Sequence, residues 1–137
     1  SLPNDIGSGL NGSIATVPGT DSPGAATFGD LAKSAGFKNG PFAMESYDAA
    51  ALMLLAMEAT KSSDSQVYKF AIDEIANAPG EKIYPGELGK ALDLVKAGKD
   101  IDYVGASAVE LVGGGESAGN YAQIEVQNGK NETVAYR

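Results

Sequence analysis

Four side chains at the start of one long apolar run have the most scope for recognition chemistry: Phe42, Glu45, Ser46 and Tyr47. Phe42 follows Gly40-Pro41, so a turn of restricted backbone sets its position. Two readings of it stand side by side. It is a hydrophobic staple that fixes how the chain enters a helix, or it is an aromatic wall of a pocket. Glu45 suits the positive end of a helix dipole. Tyr47 carries an apolar ring and a hydroxyl that needs a partner when buried. Glu45 and Tyr47 could each also reach a cleft at that helix end.

Other constellations are weaker. Gly113-Gly114-Gly115 lacks the GxxxxGK[ST] pattern of a phosphate loop and reads as a hairpin or surface turn. Asp64, Asp73 and Glu74 lack the alternating ligand spacing of a calcium loop and read as a helix cap and a solvated face. Asp100 and Asp102 share one side of an extended segment, but no partner base accompanies them, and they read as a solvated connector. The sequence contains neither His nor Cys. Ser-His and Cys-His catalysis, zinc-thiolate sites and disulfides are therefore excluded from this chain. No catalytic residue, metal site or cofactor is expected, and the chain is not expected to be an enzyme. Eighteen acidic residues against ten basic ones leave a formal charge of -8. Such a surface repels phosphate, so nucleic acid and anionic lipid are not expected as partners.

The elements that must position these residues follow from pattern. Hydrophobic residues make up 43% of the 137, enough for a packed core of ordinary domain size. Residues 10–17 read as a strand ended by Pro18-Gly19. Ser22-Pro23 is a helix start, Phe28, Leu31, Ala32 and Ala35 recur at helical spacing, and Gly36 closes that helix. A long helix is expected over residues 43–60. It is apolar nearly all round, which is the pattern of a buried helix. A chain this short rarely encloses a helix on every side. Either an apolar face is left exposed, or something outside this segment covers it. Asp64 can cap a third helix with Val67, Phe70, Ala71 and Ile75 on one face. Pro85 opens a fourth, with Leu88, Ala91, Leu92 and Val95 inward and Gly98 at its end. Residues 101–104 and 109–112 read as short extended segments. Tyr121, Gln123 and Glu125 alternate with Ala122, Ile124 and Val126 as a half-buried strand, and Asn128-Gly129 signals a hairpin to residues 133–136. No signal peptide opens the chain, and the run at residues 49–57 is too short to span a bilayer.

Residues 40–58, GPFAMESYDAAALMLLAME, resemble the "YDA" helix of the periplasmic branched-chain amino-acid-binding proteins. These are leucine-binding and related receptors of ABC transporters, with the type I periplasmic-binding fold. Residues 94–107, LVKAGKDIDYVGAS, resemble the same family's GKDIDYVGASG segment, and residues 121–130 resemble its last strand and turn. The likeness runs from Leu10 onward and departs at residues 112–117, where VGGGES replaces the family's acidic Asp-x-x-Gly-Asp turn, and at residues 75–85, which match no family pattern closely.

The resemblance implies an α/β fold: the C-terminal part of a two-lobed protein, with helices, a few strands and a C-terminal hairpin. Residues 1–18 would be a strand segment of one lobe and 19–102 a mainly helical segment of the other. Residues 103–108 would be a hinge crossing, and 109–137 strands returning to the first lobe. It implies an extracytoplasmic, periplasmic solute-binding subunit of an ABC importer, which binds a branched-chain or related amino acid in an interlobe cleft. Its partners would be that amino-acid-like ligand, a membrane permease and the missing N-terminal part of the same protein. A sensory or regulatory domain of the same fold is the alternative. Phe42 matches an aromatic position that in the family lines the pocket for the ligand side chain, and is the one ligand-binding residue carried over. Tyr47 matches a tyrosine of structural role.

Overall fold

The computed structural model describes residues 5–137. Its elements run β1 (Ile14–Pro18), α1 (Pro23–Ser34), α2 (Ala43–Thr60), α3 (Ser65–Tyr68), α4 (Ile72–Ala76), β2 (Glu81–Ile83), α5 (Leu88–Lys96), β3 (Ile101–Tyr103), β4 (Leu111–Gly113), β5 (Glu116–Ser117), β6 (Tyr121–Gln127) and β7 (Lys130–Tyr136). Short 3-10 turns cover Gly7–Leu10 and Lys69–Ala71. The protein is mixed α/β, as expected. The chain divides into two units: Ser22–Ala118, and the flanking residues up to Asp21 with Gly119–Arg137.

The core of the larger unit is built on α2. Ala51, Leu52, Leu55 and Ala56 are buried on it, together with Ile75 and Ala76 of α4 and Ala91 of α5. Beneath them lie β2 and β3, a parallel pair whose connection runs through α5, as a parallel crossover requires. Ile83, Ile101 and Tyr103 of this pair are almost wholly enclosed. A second cluster joins Phe28 and Ala32 of α1 to Ala106, with Ala43, Met44 and Tyr47 packed against it.

Helix α2 has the bounds its pattern predicts, but it is not enclosed all round. Met53 and Leu54 are 40% and 56% exposed, so the larger unit presents an apolar face there. The third helix departs from expectation. Asp64 does cap it, its Oδ1 accepting from the Gln66 N–H at 2.9 Å. The segment then tightens into a 3-10 turn before α4. Three residues per turn do not continue an α-helical face, so Ile75 goes inward while Val67 and Phe70 stay exposed. The fourth helix begins at Leu88 rather than Pro85. Pro85 and Gly86 instead fill the middle of a turn closed by the Glu87 N–H on the Tyr84 carbonyl at 3.1 Å. Gly86 has φ +89°, the left-handed value that the third position of a Pro-Gly turn demands.

In the smaller unit β6 pairs antiparallel with both β1 and β7. The first strand starts at Ile14, not Leu10, because Gly7–Leu10 turns as a 3-10 helix. On β6, Ala122 and Val126 are buried, as the alternation predicts. Asn128 and Gly129 form the hairpin turn with φ +54° and +72°, the mirror-image geometry that suits the strands' twist. A Cβ at Gly129 would impose left-handed strain of about 1–2 kcal/mol. Gly129→Ala is therefore expected to speed amide hydrogen exchange in β6 and β7 by about 5- to 30-fold, with the exchange of α2 unchanged. Unaltered exchange in both strands would show that the turn does not limit their opening.

Candidate functional site

A cavity of about 610 Å³ opens beside the start of α2. Its first wall is a face of α1: Phe28, Leu31, Ala32 and Ala35, at helical spacing, all line it. The loop from Phe37 to Phe42 forms the second wall, and the first turns of α2 supply Ala43, Ser46 and Tyr47. The local chain follows from the residues. Gly36, at φ +69°, turns α1 off, and the Phe37 N–H returns to the Ala32 carbonyl at 2.8 Å. Gly40-Pro41 then reverses the chain, with the Ala43 N–H on the Gly40 carbonyl at 3.2 Å.

Phe42 stands at the N-cap position of α2 and has φ +63°. A bulky residue rarely adopts this left-handed conformation, and it persists only where the surroundings enforce it. Phe42 is 60% exposed and lines the cavity. The staple geometry is not what forms: a staple residue precedes the cap and buries itself against the helix, and Phe42 does neither.

Tyr47 is placed by two contacts. Its ring lies 5.3 Å from that of Phe28, tilted by 55°. Its hydroxyl oxygen accepts from the Gly86 N–H at 3.3 Å. The tyrosine thus braces the floor of the cavity against the turn before α5. Ser46 is exposed at the rim. Glu45 lies aside from the cavity, with one carboxylate oxygen enclosed and unpartnered among the described residues.

One residue further along α2, Asp48 points the other way and is 2% exposed. Its carboxylate accepts from the Ala106 N–H at 2.8 Å, the Ser107 N–H at 2.7 Å, the Ser107 hydroxyl at 2.6 Å and the Tyr103 hydroxyl at 3.0 Å. Burial first, and then the negative charge of Asp48, holds the Tyr103 hydroxyl far above its ordinary pKa, so it stays a donor. The network ties the segment after β3 to the same helix turn that lines the cavity. Asp48 lies in the YDA stretch that carries the resemblance, but neither spacing nor composition gave it a role. The available hint was its type, since a carboxylate within the most apolar helix of the chain must find donors if it is buried.

The remaining acidic residues do not gather. Asp73 and Glu74 are exposed on α4, and Asp100 and Asp102 flank the start of β3. No group of acidic residues that could hold a metal ion occurs among the described residues. Gly113 ends β4, and Gly114 and Gly115 make the turn to β5. No helix among the described residues is long and apolar enough to cross a membrane.

No family model and no solved structure matches the chain. The chain is 31% identical over 94 residues to a protein of Halobacterium salinarum, the chemotactic signal transduction system substrate-binding protein BasB. That match covers 68% of this chain and 23% of the relative, so the chain spans under a quarter of the relative's length.

Proposed function

We propose that this chain belongs to a solute-binding protein working outside the cytoplasm, in the periplasm or its equivalent. It holds a small amino-acid-like ligand and carries out no covalent chemistry on it. The cleft at Phe42 carries the reading: a concave site with three phenylalanines and one tyrosine, at a size that suits a small molecule. The similarity to a substrate-binding protein supports a binding role. In the whole receptor, the ligand would sit between two lobes and favour the closed form only by its preference for that state. The closed receptor would then engage an ABC permease, and branched-chain or related amino acids are the expected ligands. A second reading has a specific support. The relative's name ties it to chemotactic signalling, so a sensory receptor with the same binding step is the alternative.

The apolar wall is testable with the chain itself. Saturation-transfer NMR with glycine, alanine, valine, leucine and phenylalanine should give signals that rise with side-chain size and arise from side-chain protons. Phe42→Ala should weaken the leucine signal about five-fold, equivalent to ~1 kcal/mol of lost apolar contact. Equal signals from glycine and leucine, or a leucine signal indifferent to Phe42→Ala, would remove the cleft from the binding site.

A further inference from the structure

One charged side chain lines the cleft. Lys38 stands in the loop between α1 and α2, and every other lining residue among those described is uncharged. The ion pairs of the described residues join Lys61 to Glu58 and Lys90 to Glu81 and Glu87, and Lys38 has no carboxylate partner among them. The chain as a whole carries -8. A cation at an apolar concavity therefore carries a sign opposite to the net charge of the chain.

We infer that Lys38 selects for the acid group of the ligand: the cleft takes an organic acid, amino-acid-like or simpler, whose apolar body packs on Phe28, Phe42 and Tyr47 while its carboxylate meets the Lys38 ammonium. This rests on the reading of the cleft as the binding site. A lysine head is a compact charge with three donors on a flexible stem, so it can follow an acid group at the rim while the body stays in the cleft. A neutral body of the same shape receives the apolar contact alone. A cationic one meets repulsion from Lys38. Because the lysine is exposed, the charge preference is modest, about two- to five-fold, and it shrinks as salt is added.

The experiment uses three probes with one body: 4-phenylbutyrate, 4-phenylbutanol and 4-phenylbutylamine, titrated into the 137-residue chain and followed by amide chemical shifts. The acid should bind about two- to five-fold tighter than the alcohol, and the amine more weakly than both. Lys38→Met keeps an unbranched side chain without the charge and should bring the three together. Circular dichroism checks that each variant is folded. An acid and alcohol that bind alike, or a preference that survives Lys38→Met, overturns the role of Lys38. In that event the cleft reading still stands if Phe42→Ala weakens all three. If no probe binds, or Phe42→Ala changes none of them, the cleft reading fails and the proposal fails with it.

Discussion

Asp48→Ala lowers the stability of the Ser22–Ala118 unit by about 3–5 kcal/mol, the largest effect expected from any polar side chain in it. The carboxylate accepts from four donors, and two of them, the Tyr103 hydroxyl and the Ala106 N–H, belong to residues with no exposed surface. A buried donor left without a partner costs about 1–3 kcal/mol. A water entering the vacated space recovers part of the four losses, which is why the total stays below their sum. Asp48→Asn keeps the shape but turns an amide group toward N–H donors, so its cost falls between that of alanine and that of Tyr103→Phe. The last change removes one donor and leaves the carboxylate three others, at about 1 kcal/mol. The long helices all lie in this unit, so urea unfolding followed by the helical circular-dichroism signal reads it directly. Asp48→Ala within 1 kcal/mol of the parent chain would mean that the network is ornamental.

The second large effect has no polar component. Gly24 sits on α1 with its α-carbon against the carbonyl of Gly105, and a Cβ there would overlap that oxygen. Both groups are backbone, so neither can rotate aside. Gly24→Ala must therefore push α1 away from the segment after β3, at about 2–4 kcal/mol. Gly105→Ala meets the Asp48 carboxylate and the Tyr103 ring, and it also forces a side chain onto φ +63°. Its cost exceeds about 3 kcal/mol. The control lies five residues along the same helix. A Cβ at Gly29 meets nothing, so Gly29→Ala should stabilise by about 0.5–1 kcal/mol through helix propensity alone. Opposite signs for Gly24→Ala and Gly29→Ala separate close packing from propensity. Two stabilising changes would refute the close approach.

Both sets of variants probe one junction. Helix α1, the Asp48 turn of α2 and residues 103–107 meet there, and Phe28 and Ala32 of α1, which pack on Ala106, also line the cavity at Phe42. A change that moves α1 also moves Phe28, against which Tyr47 packs. Stability and the shape of the cleft are thus coupled through a few buried contacts.

Much of this layout is local, and local features are readable. The bounds of α2 follow from Pro41 before it and a series rich in Ala, Leu, Met and Glu with no Gly or Pro inside. The last hairpin follows from alternation and Asn128-Gly129. Strand β2 was not readable. Of Glu81, Lys82 and Ile83 only the last is apolar, and the segment becomes a strand by pairing with β3, at Glu81–Ile101, Lys82–Asp102 and Ile83–Tyr103. The break at Lys69–Ala71 was equally hidden, because residues 65–76 carry a plausible helical pattern throughout.

The site divides in the same way. The residue types alone placed an aromatic ring at a turn before an apolar helix, with neither His nor Cys to support catalysis. Phe42 lines a cavity because α1 brings Phe28 and Leu31 to the same concavity, and no local pattern encodes that placement. Asp48 makes the same point more sharply. Its partners lie 55 to 59 residues away in the chain. Helix and strand periods are set by neighbours within a few positions, so pattern could announce them. The donors that satisfy a buried carboxylate, and the walls that face one another across a cleft, come from distant segments, and only packing brings them together.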